Sequence, residues 1–168
     1  MNALRVIAAA ATLLISGAAG AAEPGAPVFD PKILDPKALS FIIPKDIKWT
    51  PSTSSAGLET AVLAGDPAKP GAFYFTLNRW KPGSFSRPHF HENDRFIYVV
   101  SGTWWVGTGD VFDPANATVP MGAGAFVTHH AKQVHWDGAK DGEAVIAIMG
   151  IGPGTTKPSP TAKIPPQK

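Results

Sequence analysis

Short apolar runs alternate with clusters of turn-forming residues through the central part of the chain. Runs rich in β-branched and aromatic residues cover residues 71–77, 96–100, 103–106, 125–128, 133–136 and 144–151. Segments rich in proline or glycine, such as residues 66–70 and 107–110, separate these runs. Strands of about five residues at this spacing are typical of a β-sandwich or a small barrel. The pattern therefore predicts an all-β domain without long helices.

The first 22 residues have a different pattern, which is typical of a secretory signal peptide. Arg5 precedes an apolar run over residues 6–15, and a stretch of alanine and glycine follows. A membrane-spanning helix needs about 20 apolar residues, so we expect no stable membrane anchor. Cleavage is expected after Ala21 or Ala22. The mature protein would be secreted across the inner membrane and would be periplasmic in a Gram-negative cell.

Prolines mark the regions on both sides of the predicted barrel. Each proline removes a backbone donor and restricts the residue before it, which disfavours long helices. We therefore expect an extended, Pro-rich N-terminal arm and the first edge strands over residues 23–70, and the barrel over residues 71–152. Residues 153–168 combine prolines and lysines with little apolar content, which predicts a flexible C-terminal tail.

The composition limits the chemistry that this domain can perform. Cysteine is absent, which excludes disulfides, thiolate metal sites, iron–sulfur clusters and a cysteine nucleophile. Lys and Arg total 15 against 13 Asp and Glu, a formal net charge of +2. Because there is no strong basic surplus, nucleic acid is not an expected partner.

Histidines are the most informative residues of the chain, and the pair in His89-Phe90-His91 is the sharpest signal. On a strand, residues i and i+2 project to the same face. Two imidazoles on one face can converge on one cation, which takes nitrogen ligands at about 2.1 Å. Taken alone, the pair is equally compatible with two histidines on a surface or in a core.

The sequence around this pair resembles the first motif of the cupin superfamily. That motif runs from a glycine through His-x-His and a glutamate to a second glycine. Here Gly83 is followed after five residues by His89-Phe90-His91, then after three by Arg95 and after six by Gly102. In the second motif, five residues separate Gly124 from His130-Ala131-Lys132, and two more lead to His135.

The resemblance implies a small double-stranded β-barrel of the cupin or jelly-roll type with a metal ion inside its mouth. His89, His91 and His135 would be the metal ligands. The ion would be a divalent transition metal, namely Fe, Mn, Ni, Cu or Zn, because imidazole does not select among them. Such a centre, with three histidines and no carboxylate, resembles the iron centre of cysteine dioxygenase.

Arg95 is the first departure from the family pattern, because it replaces the glutamate ligand. A guanidinium has no lone pair to give to a metal. If Arg95 points inward, its charge adds to that of the ion and favours a small anionic ligand or substrate, which makes Arg95 the candidate catalytic residue. Alternatively, Arg95 pairs outward with Glu92, Asp94 or Asp137. In a third arrangement, Glu92 or Asp94 replaces the missing carboxylate ligand.

The second departure is the turn before His135, where His130 and Lys132 replace the proline and glycine of the family motif. Without glycine a positive φ is harder to reach, which predicts a different turn shape. We expect His129 and His130 to be turn or rim residues rather than ligands.

Aromatic residues are expected to fill the barrel or to cover its surface. Of Trp104 and Trp105, one should face the interior and the other outward, where an exposed indole would suit the interface of a homodimer. Tyr98 and Phe126 are expected to line the interior.

Two functions fit these residues. The first is a metal-dependent, dioxygenase-like oxidoreductase acting on a small anionic organic substrate, with Arg95 steadying the substrate anion. The alternative is a non-catalytic cupin that binds or senses a small molecule or a metal. A purely structural barrel with an inactive metal site is a third interpretation.

Overall fold

The computed structural model describes residues 30–165, and the predicted signal peptide lies outside them. The chain divides into two compact units, residues 1–40 and 41–168. In the first unit, the described residues contain the 3₁₀ turn Pro31–Ile33, which Asp30 caps by accepting a hydrogen bond from the backbone N–H of Lys32. No helix in residues 30–165 is long and apolar enough to cross a membrane.

The second unit consists of short strands that form two antiparallel sheets, preceded by the 3₁₀ turn Pro44–Asp46. The strands are β1 (Thr50–Pro51), β2 (Leu58–Gly65), β3 (Phe73–Trp80), β4 (His89–Phe90), β5 (Arg95–Ser101), β6 (Thr103–Thr108), β7 (Val119–Gly122), β8 (Phe126–His129), β9 (His135–Gly138), β10 (Ala144–Ile151) and β11 (Lys157–Pro158). One sheet has the order β1-β2-β3-β10-β5-β8 and the other β11-β4-β9-β6-β7. This arrangement confirms the predicted all-β jelly-roll barrel.

Alternation along the strands builds the core between the two sheets. Ile97 and Val99 of β5 point inward and are at most 1% exposed, whereas Tyr98 between them is 46% exposed. The expectation that Tyr98 and Phe126 line the interior is therefore wrong. These two residues lie opposite each other on β5 and β8, on the outer face of the six-stranded sheet.

Tryptophans fill the largest part of the interior. Trp80, Trp104 and Trp136 are at most 1% exposed. Trp105, next to Trp104, is only half-buried, and the Nζ of Lys140 lies 3.9 Å from the centre of its ring. One tryptophan of the pair therefore faces inward and the other outward, as predicted. The homodimer stays a prediction.

Residues 153–165 differ from the flexible tail expected there. Lys157 and Pro158 form β11 at the edge of the second sheet, beside β4. Ser159 is buried and its hydroxyl donates to the carboxylate of Asp110, while Lys157 pairs with Glu92. Proline is compatible with an edge strand, since one side of that strand needs no donors. This part of the chain is therefore part of the barrel.

A tight contact between β6 and β9 gives a test of the core packing. A Cβ atom at Gly107 would lie 2.4 Å from the buried ring of Trp136. We expect Gly107→Ala to lower the free energy of unfolding by about 1–3 kcal/mol, because overpacking forces the core to shift. Urea denaturation measures this change. Gly122→Ala is the matched control, since a Cβ there meets nothing within 4 Å. Equal losses in both variants would contradict the packing argument.

Candidate metal centre

The sheet that contains β4 and β9 brings three histidines together. His89 on β4 lies directly opposite His135 on β9 in the antiparallel ladder. His91 follows two residues after His89 and projects to the same side. All three side chains are buried, with 2–7% exposure. His89 and His135, which are 46 residues apart in the sequence, are thus adjacent in the barrel because strand pairing joins them.

Backbone carbonyls fix the orientation of each imidazole. Nδ1 of His89 lies 2.8 Å from the carbonyl oxygen of Arg87, and Nδ1 of His135 lies 3.0 Å from that of Gln133. Nδ1 of His91 lies 2.9 Å from the carbonyl oxygen of Thr155. A carbonyl only accepts, so each Nδ1 carries the proton and donates it. Each Nε2 is therefore unprotonated and carries the lone pair that metal-ligating histidines require.

The donor set fits a metal ion. One nitrogen from each of the three histidines lies within 4.8 Å of the others. Two nitrogen ligands at about 2.1 Å from one tetrahedral ion are about 3.4 Å apart, so the rings would draw together around an ion. Nε2 of His135 is buried and has no hydrogen-bond partner within residues 30–165. A buried polar atom without a partner is costly, and an ion would satisfy it. The cluster could therefore hold a metal ion, whose identity the imidazoles do not determine.

Burial keeps these histidines neutral. Loss of solvent lowers the pKa of His89 below its usual value, although the nearby Asp137 carboxylate opposes the shift. Burial and the charge of Arg95 lower the pKa of His91, and burial lowers that of His135 to about 4. Neutral imidazole is the form that binds metals. At neutral pH the three histidines can therefore bind an ion without first losing a proton.

Arg95 points into the barrel, toward the histidines. Its Nη1 donates to Nε2 of His91 at 2.6 Å and also lies 3.0 Å from Nδ1 of the same ring. Within the described residues Arg95 forms no ion pair, and its buried Nε has no partner. Burial lowers the pKa of the guanidinium, yet this group stays protonated in proteins. A positive charge without an ion-pair partner therefore lies beside the three imidazoles.

The carboxylates that could have paired with Arg95 are occupied elsewhere. Glu92 pairs with Lys157, and Oδ1 of Asp94 accepts a hydrogen bond from the backbone N–H of Ala131 at 2.7 Å. Neither carboxylate belongs to the histidine cluster, so the alternative of a replacement carboxylate ligand is not what the structure contains. Asp137 accepts a hydrogen bond from the hydroxyl of Ser86 at 2.6 Å. The alternative in which Arg95 pairs outward with one of these three carboxylates is therefore also wrong.

Strand register explains how Arg95 finds room inside the barrel. Gly150 of β10 lies between Arg95 of β5 and Tyr74 of β3 in the sheet. A Cβ atom at Gly150 would lie 2.6 Å from the hydroxyl of Tyr74. The glycine therefore leaves space in which the phenol and the guanidinium approach each other. The phenol raises the pKa of Arg95 and so opposes the effect of burial.

A fourth imidazole packs against the three candidate ligands, so the expectation that His129 is a turn or rim residue is wrong. This residue ends β8 opposite Arg95, and its ring centre lies 3.7 Å from that of His135. Its Nδ1 is buried and has no partner among the described residues. Burial lowers the pKa of His129, so its ring is also neutral. The alternation of residues along β8 could have predicted this position. Phe126 is exposed, so Val127 and His129 lie on the opposite, inward face of the strand.

The turn before His135 keeps the shape that a glycine would allow. Lys132 has a φ of 62°, and its backbone N–H donates to the carbonyl of His91 at 2.7 Å. The predicted change of turn shape is therefore wrong at this residue. A lysine held in the left-handed region costs about 1–2 kcal/mol, which the hydrogen bond to the ligand strand offsets. His130 is exposed at the rim, as expected.

The lowered pKa values make the stability of the metal-free protein depend on pH. At pH 7 the imidazoles are neutral in the folded and unfolded states. Below the usual pKa of 6.5 the unfolded chain binds protons that the folded chain does not, so stability falls as the pH decreases. Each such histidine lowers the free energy of unfolding by up to about 1.4 kcal/mol per pH unit. Urea denaturation of chelator-treated protein at several pH values measures the slope.

Two variants separate this effect from general acid sensitivity. The double substitution His89→Gln and His135→Gln should flatten the dependence. His130→Gln should leave it unchanged, because that histidine is exposed. A wild-type slope in the double variant would contradict the assignment.

Comparison with known proteins identifies the architecture. No family model matches the chain, and no curated protein matches it. Solved structures do match. The polyketide cyclase RemF from Streptomyces resistomycificus is 18% identical with a TM-score of 0.60, and the match covers 73% of this chain and 89% of that one.

Two further structures show the same architecture. A cupin-2 domain from Rhodospirillum rubrum is 12% identical with a TM-score of 0.55, covering 72% of this chain and 80% of that one. A sugar phosphate isomerase from a cupin superfamily, from Silicibacter pomeroyi, is 17% identical with a TM-score of 0.50, covering 67% and 76%. Identities this low establish the fold and not the activity. The resemblance seen in the two histidine motifs is thus confirmed at the level of structure, and the chain has the cupin fold.

Proposed function

We propose that the protein is a secreted, metal-dependent oxidoreductase of the dioxygenase type that acts on a small anionic organic substrate. The observation that carries this proposal is the convergence of three neutral, oriented imidazoles beside a buried guanidinium without an ion pair. Neutral ligands leave the charge of a divalent ion uncompensated, and Arg95 adds to it. The single buried carboxylate in the same cavity, Asp137, does not balance that charge. An anion is the species that would.

Arg95 would bind and orient the substrate anion. Its Nη1 lies against Nε2 of His91, the lone pair that an ion would use. A metal ion and the guanidinium therefore repel each other, and an anion placed between them removes the repulsion. Metal binding and anion binding are coupled through this residue, and the coupling acts in both directions.

Other side chains shape the enclosed space at the centre. Ile97, Ile146 and Ile148 form the apolar part of the cavity wall, and low-polarity surroundings strengthen electrostatic interactions. Asp137 lines the same cavity, and its bond to Ser86 holds its carboxylate where it could accept a proton from the substrate. Bound iron, copper or nickel would supply open coordination positions and the capacity to exchange electrons.

The similar structures support an enzyme more than a passive barrel. RemF is described as a polyketide cyclase, and the Silicibacter pomeroyi protein as a sugar phosphate isomerase. Neither name describes an oxidation, so the reaction type of this chain is the part of the proposal that needs the most direct test.

The test combines metal analysis with oxygen consumption. We expect the natively purified protein to contain iron, copper or nickel and to consume O₂ when phenolate or diketonate substrates are added. His135→Ala should lose both the metal and the oxygen uptake. His130→Ala is the matched control and should keep both, since its side chain lies at the rim. Zinc content with turnover but without oxygen uptake would instead identify a lyase or an isomerase.

Coupling between the metal and Arg95 gives an independent readout. Without an anion, Arg95→Gln should bind a divalent metal at least about tenfold more tightly than the wild type, because it removes the repelling charge. The same variant should lose the increase in metal affinity that an anionic substrate causes. Lys81→Gln makes the same charge change at an exposed position and should leave the metal affinity unchanged. Calorimetric metal titrations measure these affinities, and weaker binding by Arg95→Gln would contradict the coupling.

A non-catalytic module is the second candidate, and one observation favours it. The cavity at the histidines has a volume of only about 40 Å³, enough for an ion and very few other atoms. A protein that captures a metal would need no more. Tight metal binding without any turnover or anion dependence would select this alternative.

Secretion is the remaining part of the proposal and rests on the first 22 residues. When the full-length chain is expressed in a bacterium, the mature protein should begin at Ala22 or Glu23 and appear in the periplasmic fraction. N-terminal sequencing measures the cleavage position. Replacing residues 6–15 with a polar segment should retain the uncleaved chain in the cytoplasm, and an intact N-terminus on native protein would overturn this proposal.

A further inference from the structure

A second cavity lies next to the histidine centre and has a different character. Its volume is about 190 Å³, and Arg95 lines both this cavity and the one at the histidines. Hydroxyl and amide side chains dominate its walls. We call it the hydroxyl cavity, and its polar lining residues are Ser52, Ser54, Thr60, Tyr74, Thr76, Asn78, Arg95 and Thr156.

The register of β2 and β3 builds one wall of the hydroxyl cavity. Thr60 lies directly opposite Asn78, and Val62 lies opposite Thr76. Residues two apart on a strand share a face, so these polar side chains project to the inner side of the sheet. Thr76 is only 9% exposed. Val62 also lines the cavity and is 52% exposed, which places an opening to solvent there.

Most of these polar groups have no protein partner. Within residues 30–165, the side chains of Thr60, Thr76, Asn78 and Thr156 form no hydrogen bond with the protein. Polar groups in enclosed positions are normally satisfied, by protein, water or a ligand. Strand positions that face a core usually carry apolar residues, as Ile146 and Ile148 do on neighbouring β10. The hydroxyl cavity is therefore adapted to a polar occupant.

The charge of the lining residues indicates that the occupant is an anion. Arg95 is the one charged residue among those that line the hydroxyl cavity, and no described acidic residue lines it. A guanidinium prefers a carboxylate or a phosphate, which it binds through two parallel hydrogen bonds. The volume equals that of about six water molecules in the liquid, which suits about three or four carbon atoms and their oxygens.

We propose that the hydroxyl cavity binds a small hydroxycarboxylate, with its carboxylate on Arg95 and its hydroxyl groups on Thr60, Thr76 and Asn78. This inference rests on the proposed function for the role of Arg95 as the anion site, and it names the class of anion. The carboxylate end lies beside His91, because the same guanidinium contacts that imidazole. The hydroxylated end extends away from the centre toward β2 and β3.

The experiment compares ligands that differ in one group. Calorimetric titration of the purified protein, before and after chelator treatment, uses glycerate, butyrate and glycerol as probes. Glycerate carries both the charge and the hydroxyl groups, butyrate only the charge, and glycerol only the hydroxyl groups. We expect glycerate to bind at least about tenfold more tightly than either of the others.

Substitutions assign the binding to the hydroxyl cavity. Thr76→Val keeps the shape but removes the hydroxyl, and it should weaken glycerate binding about tenfold while leaving butyrate binding unchanged. Arg95→Gln should weaken both carboxylates by a similar factor. Thr128→Val is the matched control, because Thr128 lies opposite Phe96 on the outer face of the same sheet. It should change neither affinity.

The outcomes separate this inference from the proposed function. Equal binding of glycerate and butyrate would overturn the inference and indicate a cavity filled by water. The inference would also be overturned if the protein turned over unhydroxylated anions and Thr76→Val did not change that turnover. The proposed function would stand in this case. Selective glycerate binding without metal-dependent turnover would support the inference while the proposed oxidoreductase function failed.

Discussion

The chemistry of this barrel depends on hydrogen bonds from imidazoles to backbone carbonyls. The carbonyls of Arg87, Gln133 and Thr155 accept the Nδ1 protons of the three ligand histidines. Each bond selects the tautomer whose Nε2 lone pair faces the interior and fixes the ring plane. Without these bonds, the Nδ1 atoms of three buried histidines would have no hydrogen-bond acceptor. With them, the rings form a preorganised set of neutral donors that needs little rearrangement to bind an ion.

Arg95 gives the site its second character, a positive charge in the barrel interior without an ion pair among the described residues. A buried guanidinium without a carboxylate is unfavourable for folding, because desolvation is not repaid by an ion pair. Such groups are found where a function requires them, and here the group lies where two cavities meet. Imidazoles, apolar side chains and several hydroxyl groups line one cavity, and hydroxyl and amide groups dominate the other. The barrel thus places a histidine cluster that could hold a metal ion beside a cavity lined by polar side chains.

Local patterns predicted much of this structure from the sequence. Residue alternation and motif spacing placed His89, His91 and His135, and the turn clusters predicted the main strands. What the sequence left open or missed was non-local. The direction of Arg95 stayed open because it depends on the packing of neighbouring strands, and the phase of β8 placed His129 inside and Phe126 outside. The sequence pattern did not predict the edge strand β11, because its partner β4 lies more than 60 residues earlier in the chain.

The carbonyl of Thr155 ties one ligand to a segment near the end of the chain. Residues 153–158 run from the last long strand to β11, and Thr156 also lines both cavities. Residues 153–158 thus complete the surroundings of the histidine cluster. During synthesis, the imidazole of His91 can acquire its acceptor only after Thr155 has left the ribosome, 64 residues later than the histidine itself.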